Sequence, residues 1–568
     1  MRSDPLIRSG KPQPTAHGGG VRGDNFTAQS RLFQGRFGRM FRALPAAKWP
    51  QPALQALAAA MTAEPERFKD NEKLPSAPSE DTPSRIQDAE ENAGIAAGYT
   101  YFGQFIDHDI TFDPASSLQK QNDPEALIDF RTPRLDLDSL YGRGPDDQPY
   151  LYDGKKFRLG RPLFRGSAAS TARDLPRHAP EDAGPNPPAH SKRALIGDKR
   201  NDENVIIAQL HAAMLQFHNK LVDLPRNRDA SFEAVQREVR WTYQWLVVHD
   251  FLPTVCGKDV VKAVAPPPKS GTIAPFKTEG HIYHYRDEPF LPIEFSAAVY
   301  RFGHSMVRPI YRLNGNLHGG DDPNAATPTE KKQGVDGRFF VFAGVHDRAL
   351  NGFGEFPKEW AIDWSLFFDI GGSINNVGRS RVQPSYKIDT SLVNPLGFLP
   401  EFSETVAFRP PLDIAKMQGK PVDPQHSPAN LALRNLLRGM SMGLPSGEAV
   451  ARSLGVTPIA PADLRIGKAT MEDMPGNKAL RDIDSAFDDN TPLWVYVLAE
   501  AQHEWFKAAR TGGGDAQPMT LGPVGGRLVA EVLIGLIAGD GESYLAQAPG
   551  WKPDRVRSIG DLLKIALG

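Results

Sequence analysis

The chain has 568 residues, of which 40% are hydrophobic and 24% are charged, and its formal net charge is -2 at pH 7. This balance excludes a strongly basic protein that binds nucleic acid or an anionic membrane surface, so we expect neither partner. The single cysteine, Cys256, excludes an intramolecular disulfide and a zinc or iron–sulfur centre held by several thiolates.

An N-terminal arm and wrapping segment is predicted over residues 1–92. Residues 1–30 are rich in Gly, Pro and Arg and contain no continuous apolar stretch, so we expect no cleaved secretory leader. Apolar residues at Leu54, Leu57 and Met61 then predict an amphipathic helix that packs on the body of the protein. We therefore expect a soluble protein, cytoplasmic by default, and leaderless secretion also fits this pattern.

Residues 93–568 are predicted to form one large domain that is mainly α-helical, with few short strands. The most apolar late segment, Leu528–Ala538, is too short to span a bilayer. Residues 75–92 and 176–188 are polar and contain several prolines, and we expect them to be surface connections. The predicted strand is Arg338–Phe342, and the predicted helices are Gly98–Ile110, Glu203–Leu221, Phe232–Leu252, Ile293–Met306 and Leu431–Met440.

The first motif with chemical potential lies in the predicted helix Gly98–Ile110. Gln104 and His108 are one helical turn apart and share a face, and Asp107 and Asp109 flank that face. A polar face of this kind is buried in a helical domain. Taken alone, it is more typical of a core histidine satisfied by a carboxylate than of a catalytic residue.

Two further motifs are equally open when each is read alone. Arg200 and Glu203 stand before an apolar helix, where they could form an ordinary ion pair and where Asp198 or Asn201 could cap the helix. His304 directly follows a glycine, the residue that permits close approach of a bulky partner. A structural role remains the simpler interpretation of either motif by itself.

Taken together, the motifs resemble in residue type and order the animal-type haem peroxidases, the peroxidase–cyclooxygenase superfamily. The resemblance covers residues 98–445 and predicts a helical haem peroxidase domain. The matching residues are Gly103-Gln104 with Asp107-His108-Asp109, Gly197-Asp198 with Arg200 and Glu203, Arg301-Phe302-Gly303-His304, and Asn435-Leu436-Leu437-Arg438 with Gly443-Leu444-Pro445.

The resemblance implies that His108 is the distal base, which takes a proton from hydrogen peroxide and returns it to the departing oxygen. Arg200 would stabilise the negative charge that develops as the O–O bond breaks. Gln104 corresponds to a glutamine that holds water or halide in relatives. The implied activity is reduction of hydrogen peroxide and oxidation of a halide or small organic electron donor through a ferryl haem, as in a response to oxidative stress.

On the other side of the haem, the resemblance makes His304 the axial iron ligand. Asn435 would accept the second ring proton of His304 and so fix its tautomer. Arg301 is then a candidate partner for a haem propionate.

The resemblance also bears on how the haem is attached. Asp107 and Glu203 fall where relatives form ester bonds to haem methyl groups, so the cofactor is expected to be haem b or an ester-linked derivative. Asn204 stands where myeloperoxidase has the methionine of a third, sulfonium link. We therefore expect no third link.

A calcium ion is the second cofactor that the resemblance implies. Thr132, Arg134 through its carbonyl, Asp136 and Asp138 recur at every second residue, so an extended loop presents their oxygens to one side. Asp109 would complete the ligand set and couple the ion to the distal helix. The alternative is that the two loop aspartates only solubilise a turn.

Other functions stay open at this point. A fatty-acid dioxygenase or cyclooxygenase would use a tyrosyl radical, for which Tyr300 is the candidate, but it precedes His304 by four residues rather than three. A haem store would not need His108 and Arg200. Catalase-like disproportionation shares the first step with a peroxidase. The electron donor and the oligomeric state cannot be read from the motifs.

Overall fold

The computed structural model describes residues 37–63, 88–111, 131–178, 192–265, 282–284, 289–317, 338–342, 349–370, 381–397, 399 and 429–568. Within these residues, no helix is both long enough and apolar enough to cross a membrane. The predicted arm over residues 1–30 and most of the two predicted surface connections lie outside the described residues.

Helices dominate the described chain, as the sequence predicts. Two 3-10 helices, Lys199–Asp202 and Val299–His304, carry residues of the predicted site. The α-helices are α1 (Gln51–Met61), α2 (Gly98–Ile110), α3 (Asp138–Tyr141), α4 (Val205–Val222), α5 (Phe232–Leu246), α6 (Leu252–Val255), α7 (Lys258–Val264), α8 (Ile293–Ala297), α9 (Leu431–Ser441), α10 (Gly447–Ser453), α11 (Leu493–Thr511), α12 (Pro523–Gly539), α13 (Tyr544–Gln547) and α14 (Ile559–Leu567).

The strands are short, and in the described residues they pair two at a time. They are β1 (Phe37–Gly38), β2 (Glu91–Ala96), β3 (Tyr152–Asp153), β4 (Lys156–Phe157), β5 (Pro162–Arg165), β6 (Ala168–Arg173), β7 (Leu291–Pro292), β8 (Ile310–Arg312), β9 (Arg338–Phe340), β10 (Pro384–Tyr386), β11 (Arg465–Ile466) and β12 (Lys478–Ala479). Strands β1 and β7 pair in parallel. The antiparallel pairs are β2 with β10, β3 with β4, β5 with β6, β8 with β9, and β11 with β12.

Helix α4 lies at the centre of the core, because nearly every one of its side chains is buried. Its first turn is capped by Asn204, whose side-chain oxygen accepts hydrogen bonds from the backbone of Ile206 and Ile207 at 2.9 and 3.0 Å. Helices α2, α5 and α14 pack against α4. The N-terminal residues Phe41 and Trp49 are buried in the same core, so the chain before α2 is tied to the helical body.

The predicted helices match the structure unevenly. Helix α2 has the predicted bounds, whereas α5 ends at Leu246 and is followed by a π-helical turn. The predicted helix over residues 293–306 is wrong. Helix α8 ends at Ala297, because Ala298 leaves the helical region with φ -137° and ψ -71°, and a 3-10 helix follows. The carbonyl of Arg301 accepts a bond from the Trp494 indole at 3.2 Å, a tertiary contact that overrides the local pattern.

Candidate active site

The buried end of helix α2 carries His108. Its Nδ1 lies 2.8 Å from Oδ1 of Asn201, on the 3-10 helix that precedes α4. Burial, and then the nearby positive charge of Arg200, lower the pKa of His108 to about 4. The imidazole is therefore neutral near pH 7, and with Nδ1 engaged its Nε2 is the nitrogen that can exchange a proton with a ligand.

Arg200 is fixed beside His108 by the buried carboxylate of Asp198. The Arg200 guanidinium donates to both Asp198 oxygens, at 2.7 Å from Nη2 and 3.1 Å from Nε. Its Nη2 also donates to the His108 carbonyl at 2.9 Å. Arg131 binds Asp198 from another direction at 2.6 Å. Although burial raises the pKa of Asp198, the two arginines hold this pKa far below its usual value. Asp198 is therefore an ionised carboxylate that forms an ion pair with each arginine.

Gln104 lies one turn before His108 and donates from its amide nitrogen to a carboxylate oxygen of Glu203. Glu203 and Asp107 both line a cavity of ≈ 1080 Å³, together with Arg200. That volume is slightly above the roughly 300–1,000 Å³ found for small-molecule sites. Of the predicted distal residues, Asp107, Arg200 and Glu203 line the cavity, whereas His108 and Gln104 lie behind this wall and are not among its lining residues.

The proximal residues meet at the end of the 3-10 helix Val299–His304. Burial, followed by the charge of Arg301, lowers the pKa of His304 to about 3, so its ring is neutral. A Cβ built on Gly303 would meet nothing within 4 Å, so open space adjoins this histidine. The Asn435 side chain of α9 lies 2.8 Å from Nδ1 of His304.

The Asn435 amide has the opposite orientation from the one expected. Its nitrogen faces Nδ1 of His304, while its oxygen accepts a hydrogen bond from Nη1 of Arg301 at 3.2 Å. The guanidinium needs an acceptor, and the amide oxygen supplies it. Turning this amide by a half-rotation would present its oxygen to His304 instead.

Three arginines gather on the proximal side of the cavity wall. Arg301, Arg434 and Arg438 all line the cavity. Burial and the charge of Arg438 lower the pKa of Arg301 to about 10, although Asp107 opposes the shift; Arg434 lowers it further. Burial is the larger cause of this shift, and the charge of Arg438 is the second, so cationic side chains lie close together on this wall.

The predicted calcium residues form a cluster beside the distal helix. Ligand oxygens of Asp109, Asp136 and Asp138 all lie within 4.8 Å of one another. Burial, then Asp138 and Asp136, raise the pKa of Asp109 well above its usual value. Thr132 donates to Asp136 at 2.9 Å, and the Arg134 side chain forms an ion pair with Asp540 at 3.8 Å. The acidic residues and Thr132 are thus brought together as predicted.

The sequence motifs do not predict the roles of two side chains at the distal site. Asn201 appeared only as a possible helix cap, but Asp198 caps the 3-10 helix and Asn204 caps α4. Arg131, which binds Asp198 and also lies 3.4 Å from Asp138, was not considered. The only signal for either was its position, directly after Arg200 or directly before the predicted calcium loop.

Tyr300 is not among the residues that line this cavity. Its ring stacks on Phe295 at a centroid distance of 4.7 Å, and its hydroxyl donates to the Gly103 carbonyl at 3.2 Å. Burial raises the pKa of Tyr300 well above its usual value. In the structure it ties the proximal segment to the distal helix.

Comparison with known proteins finds a similar family. Residues 116–371 match the model of the family described as animal haem peroxidase. The matched residues make up less than half of the chain. They include Arg200 and His304, while helix α2 and Asn435 lie outside them.

Curated relatives of the chain are distant. Rat thyroid peroxidase is 24% identical over 201 residues, which are 33% of this chain and 20% of that protein. A peroxidase-like protein from Margaritifera margaritifera is 26% identical over 260 residues, 37% of this chain and 32% of the relative. The chain therefore spans only a fifth to a third of the length of these relatives.

Solved structures share the fold of the chain. Peroxidase A from Dictyostelium discoideum has a TM-score of 0.54 at 14% identity, with 94% of this chain and 93% of that chain covered. A fatty acid alpha-dioxygenase from Oryza sativa has a TM-score of 0.51 at 13% identity, covering 94% of this chain and 79% of that chain. At these identities the likeness concerns the fold alone, which agrees with the predicted helical peroxidase architecture.

Proposed function

We propose that this protein is a haem peroxidase that reduces hydrogen peroxide and oxidises a halide or a small organic electron donor. One observation carries the proposal: a single cavity is lined by Arg200 and Glu203 from the distal motif and by Arg301 from the proximal motif. The chemistry of both motifs is therefore directed at the same bound molecule.

The residues around the cavity fit a haem. His304 supplies a neutral imidazole next to the open space at Gly303, which suits an axial iron ligand. The guanidinium groups of Arg301, Arg434 and Arg438 on the cavity wall suit the two haem propionates. When bound, the haem would supply the redox chemistry that reduces peroxide and oxidises the donor.

The chain's own part in the reaction is to move one proton and stabilise charge. Nε2 of His108 accepts the first proton of hydrogen peroxide and then donates it to the leaving oxygen, which departs as water. Arg200 is held by Asp198 and offers a fixed positive charge that does not titrate near pH 7. Gln104 holds the carboxylate of Glu203 in place by its hydrogen bond.

Ester attachment of the haem is a further part of the proposal. Asp107 and Glu203 are carboxylates on the cavity wall, so each can reach a ligand that fills the cavity. Mass spectrometry of the acid-denatured holoprotein tests this. A mass increase of one haem less two hydrogens for each ester bond, lost from the double variant Asp107→Ala/Glu203→Ala, supports the links, and complete dissociation of haem from the wild type contradicts them.

We further propose that Asp109, Asp136, Asp138, Thr132 and the Arg134 carbonyl bind calcium. Three buried or half-buried carboxylates within 4.8 Å repel one another unless a cation lies between them. A strong chelator should lower both Tm and peroxide turnover, and added Ca²⁺ but not Mg²⁺ should restore them. Unchanged Tm and turnover after chelation would remove the proposal.

Substrate tests separate the peroxidase from the other activities. With haem-loaded protein, we expect oxidation of iodide or a phenol only when hydrogen peroxide is present. Oxygen uptake with an unsaturated fatty acid and no reductant would indicate a lipid oxygenase instead. Oxygen release from peroxide alone, at a rate unaffected by donor, would indicate a catalase-like enzyme.

A further inference from the structure

The side chain of Asn201 lies between two buried histidines. Its Oδ1 is 2.8 Å from Nδ1 of His108, and its Nδ2 is 3.0 Å from Nδ1 of His211 on helix α4. Asn201 and His211 are fully buried. Because Asp198 and Asn204 perform the capping in this region, the whole amide of Asn201 is left for the two rings.

An amide oxygen can only accept a hydrogen bond, and an amide nitrogen can only donate one. With the oxygen facing His108, Nδ1 of His108 must carry the hydrogen and Nε2 must carry the lone pair. With the nitrogen facing His211, Nδ1 of His211 must be the acceptor. One amide therefore sets the two rings in opposite tautomers, and turning it would reverse both.

Contacts around the amide hold its backbone and the ring of His211 in place. The backbone of Asn201 is part of the 3-10 helix and donates to the Asp198 carbonyl at 3.1 Å. The next residue, Asp202, accepts two bonds of 2.8 Å from Arg177. The ring of His211 meets Phe105 of helix α2 edge-on, with centroids 6.1 Å apart. The Asn201 side chain is thus kept between the two histidine rings.

We propose that Asn201 and His211 are positioning residues that present Nε2 of His108 as the acceptor of the peroxide proton. His211 holds the amide nitrogen, and the amide oxygen then fixes the ring of His108. The inference rests on the proposed peroxidase function, because it assigns the orientation of that enzyme's distal base.

Cyanide binding to the ferric holoprotein gives a readout besides turnover. Hydrogen cyanide must lose its proton as it binds iron, so its association rate reports the same acceptor nitrogen. We compare Asn201→Leu, which removes the amide, Asn201→Asp, which keeps an acceptor toward His108, and His211→Phe, which leaves the amide unheld. His218→Phe is the matched control, since His218 is buried on the same helix but bonds Tyr141 and the Lys155 carbonyl.

Per bound haem, cyanide association and peroxide consumption should fall at least tenfold in Asn201→Leu and several-fold in His211→Phe. Asn201→Asp should restore most of the rate, and His218→Phe should match the wild type. If Asn201→Leu fails to bind haem, His211→Phe decides. Rates within twofold of wild type in the deciding variant, or a loss that Asn201→Asp does not restore, overturn the inference.

The wild type and His108→Ala serve as references. If the wild type binds no haem or consumes no peroxide, the proposed function itself fails. If these two proteins differ as expected while the Asn201 and His211 variants behave as wild type, only the positioning role fails.

Discussion

On the distal side of the cavity His108 extends from a helix of 13 residues, whereas on the proximal side His304 ends a 3-10 helix of 6 residues. On the distal side the buried carboxylate of Asp198 forms ion pairs with both Arg131 and Arg200. On the proximal side burial, and then the charge of Arg438, lower the pKa of Arg301. The distal arginines are therefore joined by a carboxylate, whereas the proximal wall brings two cations together.

The largest expected effect is a difference in haem content between variants of the two histidines. His304→Ala should remove most of the bound haem, because it deletes the proposed axial ligand that holds the haem in place before any ester bond can form. His108→Ala should bind haem at the wild-type level. Haem content per protein, measured by the pyridine haemochrome method, checks both, and equal haem loss in the two variants would contradict the contrast.

The second largest effect is expected when the buried carboxylate on the distal side is removed. Asp198→Asn leaves Arg131 and Arg200 without their buried carboxylate, so we expect a loss of about 3 kcal/mol in the free energy of unfolding and a much lower peroxide turnover. Asp174→Asn is the control, because it breaks a buried ion pair with Arg177 that does not touch Arg200. Urea unfolding and steady-state kinetics measure the effects; comparable turnover in the two variants would count against the role of Asp198.

Repulsion between Arg301 and Arg438 predicts a smaller effect, which is favourable for the stability of the haem-free protein and unfavourable for haem binding. Arg438→Gln should stabilise the haem-free protein by about 1 kcal/mol, because it relieves repulsion with Arg301. The same variant should bind haem more weakly. Thermal unfolding of the haem-free and haem-bound proteins checks this prediction. A haem-free variant that is less stable than the haem-free wild type would contradict repulsion between the two arginines.

The smallest effect concerns pH on the proximal side. Asp389 donates its backbone N–H to Ser305, the residue after His304. Burial raises the pKa of its carboxyl to about 7. The stability it contributes is full below its unfolded pKa of about 4 and is lost as the pH rises through 7. In Asp389→Asn, Tm should depend less on pH between about 4 and 7; an unchanged slope would exclude Asp389 as the cause.

The sequence also predicts the structure of the two sides of the cavity to different extents. Helix α2 could be predicted with its correct bounds, since its apolar spacing is local and helical. The break at Ala298 could not be predicted, because the local pattern favours a helix. In the structure a 3-10 helix follows Ala298, and its Arg301 carbonyl accepts a hydrogen bond from Trp494 of a distant helix. The aspartate cluster at Asp109 was predictable from alternating loop residues once the family resemblance was stated.

Contacts between side chains of distant segments were the least predictable. The bond between Asn201 and His108 depends on the packing of a 3-10 helix against α2, which no periodicity reveals. The orientation of the Asn435 amide depends on competition with Arg301. Residue identity predicted which groups are near the cavity, and only the packing determines which atoms they present.

Rapid mixing of ferric holoprotein with stoichiometric hydrogen peroxide tests the central claim most directly. The wild type should show an immediate change of its Soret band, at a rate proportional to peroxide concentration. His108→Ala, loaded with the same amount of haem, should react about 10² to 10⁴ times more slowly, the range for loss of a general acid–base group. A wild type without a Soret band, or a His108→Ala variant that reacts as fast as the wild type, would contradict the account.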